Sequence, residues 1–133
     1  MRKLLIIAVI PFVFWSCSGS VDVSNMNAEQ HHKYAMELFN DEDYIGSVRE
    51  FQAILLQHPG SSVTDDAQYY LAESHYKKHE YILASYEFSR LIKDIPASDF
   101  VPKAQFMLAQ SYYELSPSYQ LEQTYTIKSI EEF

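Results

Sequence analysis

The chain has 133 residues, enough for one small domain, and its 47% hydrophobic content, 11 tyrosines, three glycines and five prolines exclude a disordered or collagen-like polymer and suit a helical, packed one. Its formal charge is −8 at pH 7. Nucleic-acid phosphates need clustered Lys or Arg, so that class of partner is excluded.

The chain opens with Arg2 and Lys3 and continues through an almost unbroken apolar run, Leu4 to Trp15. That run is too short to span a bilayer as a finished helix, and with its basic start it reads as a secretory signal, residues 1–16. Removing it takes away two basic residues and no acid, which moves the charge to −10. The lone cysteine, Cys17, then has no internal disulfide partner. Phe14-Trp15-Ser16-Cys17 resembles the bacterial lipobox, in which a small residue precedes the cysteine that is lipidated and becomes the new N-terminus. Trp15 and Phe14 are bulkier than that motif usually carries. The other reading is an ordinary cleaved signal with an incidental thiol. The lipobox resemblance implies a lipid on Cys17, palmitate among its acyl chains, and Ser18 after the cysteine resembles cargo sent to the outer membrane. Two or more acyl chains tether durably, at about 0.8 kcal/mol per buried CH₂. Residues 17–27 form the lipidated N-terminus and a flexible leash.

From residue 28 onward the chain repeats itself. A shift of 37 residues lays Ala35 on Ala72 and Ala109, Leu71 on Leu108, Tyr76 on Tyr113, Tyr44 on Tyr81, Phe51 on Phe88, and Pro59 on Pro96. Each unit reads as helix, short turn, helix and proline stop. The pattern predicts helices over 28–40, 43–58, 64–78, 80–94, 99–115 and 123–133. In the second helices, Tyr44, Val48, Phe51, Ile54 and Leu55, and likewise Tyr81, Ala84, Phe88, Leu91 and Ile92, make one apolar stripe that must be covered. In the first helices, Ala35, Ala72 and Ala109 mark close helix crossings. Pro59 and Pro96 lack a backbone donor and end their helices, while Asp65, Asp66 and Asp99 put negative charge near the next N-terminus.

Residues 28–133 therefore resemble the tetratricopeptide repeat. The resemblance implies an all-α solenoid of antiparallel helix pairs, about two and a half to three repeats at 28–61, 65–98 and an incomplete 102–133. The standard unit has 34 residues, and the extra three lie in "GSSVTDD" and "ASDFVPK". The sequence departs from the pattern at Ser47, where alanine is usual, and at His31, Gln68 and Gln105, where a large aromatic is usual. The third unit gains eight residues in its turn, "ELSPSYQLEQTYT", which predicts a surface contact loop around Tyr119 and Leu121.

Lipobox, repeats and this long loop together resemble the BamD family, the lipoproteins of the outer-membrane β-barrel assembly machinery. Members carry about five repeats, so the chain is expected to be a truncated form. The resemblance implies a lipid-anchored protein on the periplasmic face of the outer membrane. Its implied partners are unfolded outer-membrane proteins, a BamA-like barrel subunit and other assembly lipoproteins. Translation by 37 residues aligns His32, Tyr69 and Phe106, and Phe39, Tyr76 and Tyr113, as aromatic ladders along the concave face. With Met36, Glu73 and Gln110 they make the expected partner-binding groove. Core packing shares this helical periodicity, so the same residues also fit a purely structural role. The competing function is a periplasmic repeat adaptor of the Tol-Pal and envelope-division type. Those adaptors place a coiled coil before the repeats, and only about ten residues separate Cys17 from the first helix here.

Catalysis has little support in the residues. His75 and His79 stand four apart, but no third ligand is placed and the HExxH pattern is absent. Asp41-Glu42-Asp43 lacks the spacing and glycine of a calcium loop. A phosphate-cradling glycine loop and a nucleophile elbow are both missing. The expectation is no enzymatic activity, no cofactor and no metal.

Overall fold

A computed structural model describes residues 22–118 and 121–133. The signal segment, the lipidation site Cys17 and Tyr119 lie outside the described residues. Six helices make up the fold: α1 (Ala28–Asn40), α2 (Tyr44–Gln57), α3 (Thr64–Lys77), α4 (Tyr81–Asp94), α5 (Val101–Glu114) and α6 (Thr124–Glu132). Each lies within three residues of its predicted bounds. Every helix packs mainly on its neighbours in sequence, α1 on α2 and so on to α5 on α6, which is how a repeat solenoid buries its stripes.

Local chemistry sets the helix starts. Asn27 and Gln30 form a capping box: Asn27 Oδ1 accepts from the Gln30 amide at 2.8 Å and Gln30 Oε1 from the Asn27 amide at 3.1 Å. Asp43 caps α2 by accepting from the Gly46 amide at 2.9 Å. Asp65 and Asp66 supply the negative charge that the first turn of α3 favours, and Pro102 sits at the start of α5, where its missing donor costs nothing. The tight turns within the first two repeats each use one residue in the left-handed region, Glu42 (φ 61°) and His79 (φ 60°), 37 residues apart.

The core divides by repeat. One cluster joins Ala35, Phe51, Ile54, Ala67 and Leu71, and the next joins Tyr69, Ala72, Ala84, Phe88, Leu91, Ala104 and Leu108, with Tyr70 packed against both. Ala35, Ala72 and Ala109 are all fully enclosed, as close crossings require.

The departures from the repeat pattern turn out to be paired. His31 Nε2 lies 2.9 Å from Glu50 Oε2, and the Gln68 amide donates to Glu87 Oε2 at 2.7 Å and to the Glu87 carbonyl at 3.1 Å. Gln105 donates to Glu132 Oε2 at 2.5 Å and to the Glu132 carbonyl at 3.1 Å. In all three repeats a polar side chain on the first helix therefore grips a glutamate on the second, where a large aromatic would otherwise fill the space. Arg49 and Arg90 reach Glu50 and Glu87 from the surface at 2.8 and 3.0 Å, so neither buried carboxylate is uncompensated. Ser47, where alanine is usual, meets Ser74 hydroxyl to hydroxyl at 2.9 Å, joining the first repeat to the second.

Candidate functional site

The first helices α1, α3 and α5 carry the sequence-predicted groove residues, which divide by exposure. Phe106 and Tyr113 on α5 are 55% and 61% exposed, open enough to offer ring faces to a ligand. Phe106 meets Phe133 edge-on, with ring centroids 5.8 Å apart. Met36 and Phe39 are half-buried and pack on the first core cluster, with Phe39 edge-on to Tyr44 and Tyr70 at 5.6 and 5.2 Å. Tyr76 is also half-buried, its ring 5.2 Å from Tyr81 and its hydroxyl donating to Glu114 at 3.4 Å. Gln110 donates to the same carboxylate at 3.1 Å, so Tyr76, Gln110 and Glu114 form one polar crossing from α3 to α5.

Tyr69 requires a correction. It was expected to line the groove beside Phe106, yet its side chain is fully buried. Phe100, in the turn before α5, stacks on it at 4.8 Å, Phe88 of α4 lies 5.6 Å away, and the Lys103 ammonium sits 4.5 Å from its ring centre. The ring is core. Helical spacing could not tell Tyr69 from Phe106, because the cover comes from residues of the following turn.

Electrostatics single out the boundary between α1 and α3. His32 is half-buried, packs at 5.9 Å from Phe51 and faces Asp66 across the α1–α3 boundary. Burial lowers its pKa, partly offset by the charge of Asp66, so the neutral ring is favoured. Burial likewise raises the Asp66 carboxyl. The Tyr69 phenol is pushed far up by burial and then by the carboxylate of Glu73. The Tyr69 hydroxyl and the Glu73 carboxylate face each other closely enough for a hydrogen bond to contribute to that rise, while His32 Nε2 is enclosed without a partner.

At the far end, the turn between α5 and α6 borders an open cleft of about 620 Å³ lined by Tyr113, Pro117, Thr126, Ile130 and Phe133 among others. Leu121, from the predicted contact loop, is 63% exposed, and Gln123 secures the loop by donating to the Ser118 and Leu121 carbonyls at 2.9 and 2.8 Å. Sequence reasoning did not anticipate Ile130, 72% exposed, beside this cleft. The available signal was its alignment, after the eight-residue insertion, with Val48 and Ser85 of the earlier repeats.

The two histidines weighed as a metal edge turn to different partners. His75 Nδ1 lies 2.7 Å from Glu80, and His79 Nδ1 lies 2.6 Å from the Tyr81 hydroxyl. Among the described residues no helix is long and apolar enough to cross a membrane.

Comparison with known proteins gives one result. The family model described as YfiO, outer membrane lipoprotein, matches residues 24–133. No curated protein matches the chain.

Proposed function

Because the chain belongs to the YfiO family of outer membrane lipoproteins, we propose that it is a non-catalytic subunit of the machinery that assembles β-barrel proteins into the outer membrane. In this reading Cys17 carries the lipid that holds the protein on the periplasmic face. The solenoid receives unfolded outer-membrane proteins in its groove, and the α5–α6 loop with Leu121 contacts a BamA-like barrel subunit or another assembly lipoprotein.

One observation supports this best: α5 carries two exposed aromatic rings, Phe106 and Tyr113, next to an open apolar cleft, with acidic Glu114 beside them. Rigid aromatics supply large contact area at low entropic cost, which suits an extended chain whose sequence varies from client to client. A monomeric soluble protein has little reason to leave so many large apolar side chains together in water.

The test is affinity purification of the lipidated protein from detergent-solubilised envelopes. Recovery of a large β-barrel protein is expected, and recovery of Tol-Pal components in its place would transfer the protein to the envelope-division adaptors. In a peptide-binding assay, Phe106→Ala combined with Tyr113→Ala should weaken capture of an aromatic-ended outer-membrane-protein segment with helicity unchanged. Tyr69→Ala is the wrong probe, since it opens the core.

A further inference from the structure

Each helix pair offers an apolar trough that the following first helix covers. Phe39, Val48 and Phe51 of the first pair share a cluster with Ala67, Tyr70 and Leu71 of α3, and Tyr76 and Phe88 of the second share one with Ala104, Met107 and Leu108 of α5. Tyr70 shows how closely the cover is seated: its ring stacks on Phe51 at 6.0 Å and meets Phe39 edge-on at 5.2 Å. With the eight-residue insertion allowed for, the positions of Phe39, Val48 and Phe51 are held in the third pair by Tyr113, Ile130 and Phe133. These are 61%, 72% and 66% exposed, and they line the open cleft between α5 and α6. The trough is thus built a third time, and the structure shows what fills the first two.

From this continuity we propose that the α5–α6 trough docks an amphipathic helix of a partner protein, lying as α3 and α5 lie in the troughs before it. The proposal names the partner chemistry at the end of the solenoid that the reading above assigns to subunit contact, and rests on that reading to this extent only. The occupant's face follows from α3 and α5. Both carry a small residue, a large apolar one at i+3, leucine at i+4 and serine at i+7: Ala67, Tyr70, Leu71 and Ser74, then Ala104, Met107, Leu108 and Ser111. The small residue lets the helix axes approach, and the large pair fills the trough between its walls. Glu114, exposed at the border of the cleft, favours a basic residue at i+10, where α3 has Lys77. A second copy stacked head to tail does not fit. The positions on α1 that match Ala67, Tyr70, Leu71 and Ser74 are Gln30, Lys33, Tyr34 and Glu37, and all but Tyr34 are exposed. Such stacking would press the charges of Lys33 and Glu37 onto Ile130 and Phe133, where neither finds a partner. One end of the solenoid is closed by a polar helix face, and the other presents an apolar one.

The experiment measures, by fluorescence polarisation, binding of a labelled peptide with the sequence of residues 61–78 to the full chain held in lipid nanodiscs. That peptide is the helix that already fills the first trough. It should bind, whereas the same peptide with Leu71→Lys, and a peptide of residues 25–41 that carries the polar α1 face, should bind about 10-fold more weakly or worse. In the protein, Ile130→Lys alters a side chain already in water, so the thermal midpoint should hold while affinity for the 61–78 peptide falls by about 10-fold or more. Equal binding of the three peptides, or indifference to Ile130→Lys, would overturn the helix trough and leave a merely sticky face. Self-association that grows with protein concentration and disappears in Ile130→Lys would give the trough to a second copy and overturn the partner helix. Capture of the aromatic-ended client segment is scored on the same samples. Client captured with the 61–78 peptide refused removes this inference alone; the peptide bound with the client refused supports it and removes the groove reading alone.

Discussion

The first two repeats and the third are built on one pattern and differ in what covers them. Phe51 and Phe88 are completely enclosed, whereas Phe133, at the equivalent place on α6, is 66% exposed, and Ile130 is 72% exposed where Ser85 is buried. Yet the polar grip between first and second helix is present in all three, and Gln105 finds Glu132 across an insertion that lengthens the turn by eight residues. The grip within a repeat therefore depends on the helix pair alone. Coverage of the second helix depends on the next first helix, as α3 covers α2 and α5 covers α4.

The largest expected effect follows directly. Phe88→Ala leaves a cavity among Tyr69, Ala84, Leu91 and Leu108 and should cost about 3–5 kcal/mol in denaturant unfolding. Phe133→Ala removes a ring already in water and should change stability by less than about 0.5 kcal/mol. Similar losses at the two positions would show that α6 is covered in solution.

Next comes the grip itself. Glu87→Ala takes the carboxylate from the Gln68 amide, which is 3% exposed and keeps only the Glu87 carbonyl as acceptor, and should cost about 2 kcal/mol. The same change at Glu132 should cost less than half as much, because Gln105 is only half-buried and water replaces the lost acceptor. Replacing Gln68 and Glu87 together by leucine should recover most of the loss, since removing both partners leaves nothing unsatisfied. A double variant as unstable as Glu87→Ala would assign the effect to shape and not to the hydrogen bond.

Much of this was legible in the sequence. The 37-residue self-match located five helices and, with the eight-residue insertion allowed for, the sixth, and Ala35, Ala72 and Ala109 are enclosed as small crossing residues should be. The glutamate partners were not legible, because His31–Glu50 and Gln68–Glu87 are 19 residues apart and Gln105–Glu132 is 27 apart. Only the register between two packed helices brings them together, and the insertion conceals the third pair. Exposure along the predicted aromatic row divides for the same reason. Tyr69 and Phe106 hold one register position, but Phe100 and Lys103 cover the first, while Phe133 meets the second edge-on and leaves it 55% exposed.

A smaller effect distinguishes the turns. Glu42 and His79 hold left-handed backbone in the first two repeats, a conformation that side chains bearing a Cβ adopt at some cost. Glu42→Gly should stabilise the chain by about 0.5–1 kcal/mol in thermal unfolding. His79→Gly should gain less, because it also loses the 2.6 Å contact from the imidazole to the Tyr81 hydroxyl. Destabilisation by Glu42→Gly would mean that the glutamate side chain contributes more to the turn than its backbone strain takes away.

The smallest effect is a pH dependence in the first repeat, which alone has an imidazole at the register position shared by His32, Tyr69 and Phe106. Burial depresses the pKa of His32 below the ordinary histidine value of 6.5, and Asp66 restores only part of it. Between that value and the lower one of the folded chain, the unfolded chain binds the proton and the folded chain does not. Stability contributed by the neutral ring is thus complete above about pH 6.5 and declines as the solution is acidified, with a slope no steeper than about 1.4 kcal/mol per pH unit for one proton. The chain has four other histidines, so the informative quantity is the difference between wild type and His32→Phe. Urea unfolding of the two proteins from pH 7.5 to pH 5 should give curves that diverge on acidification, the wild type losing more. Parallel curves would mean that the imidazole gains a partner on protonation, with Asp66 compensating its burial in full.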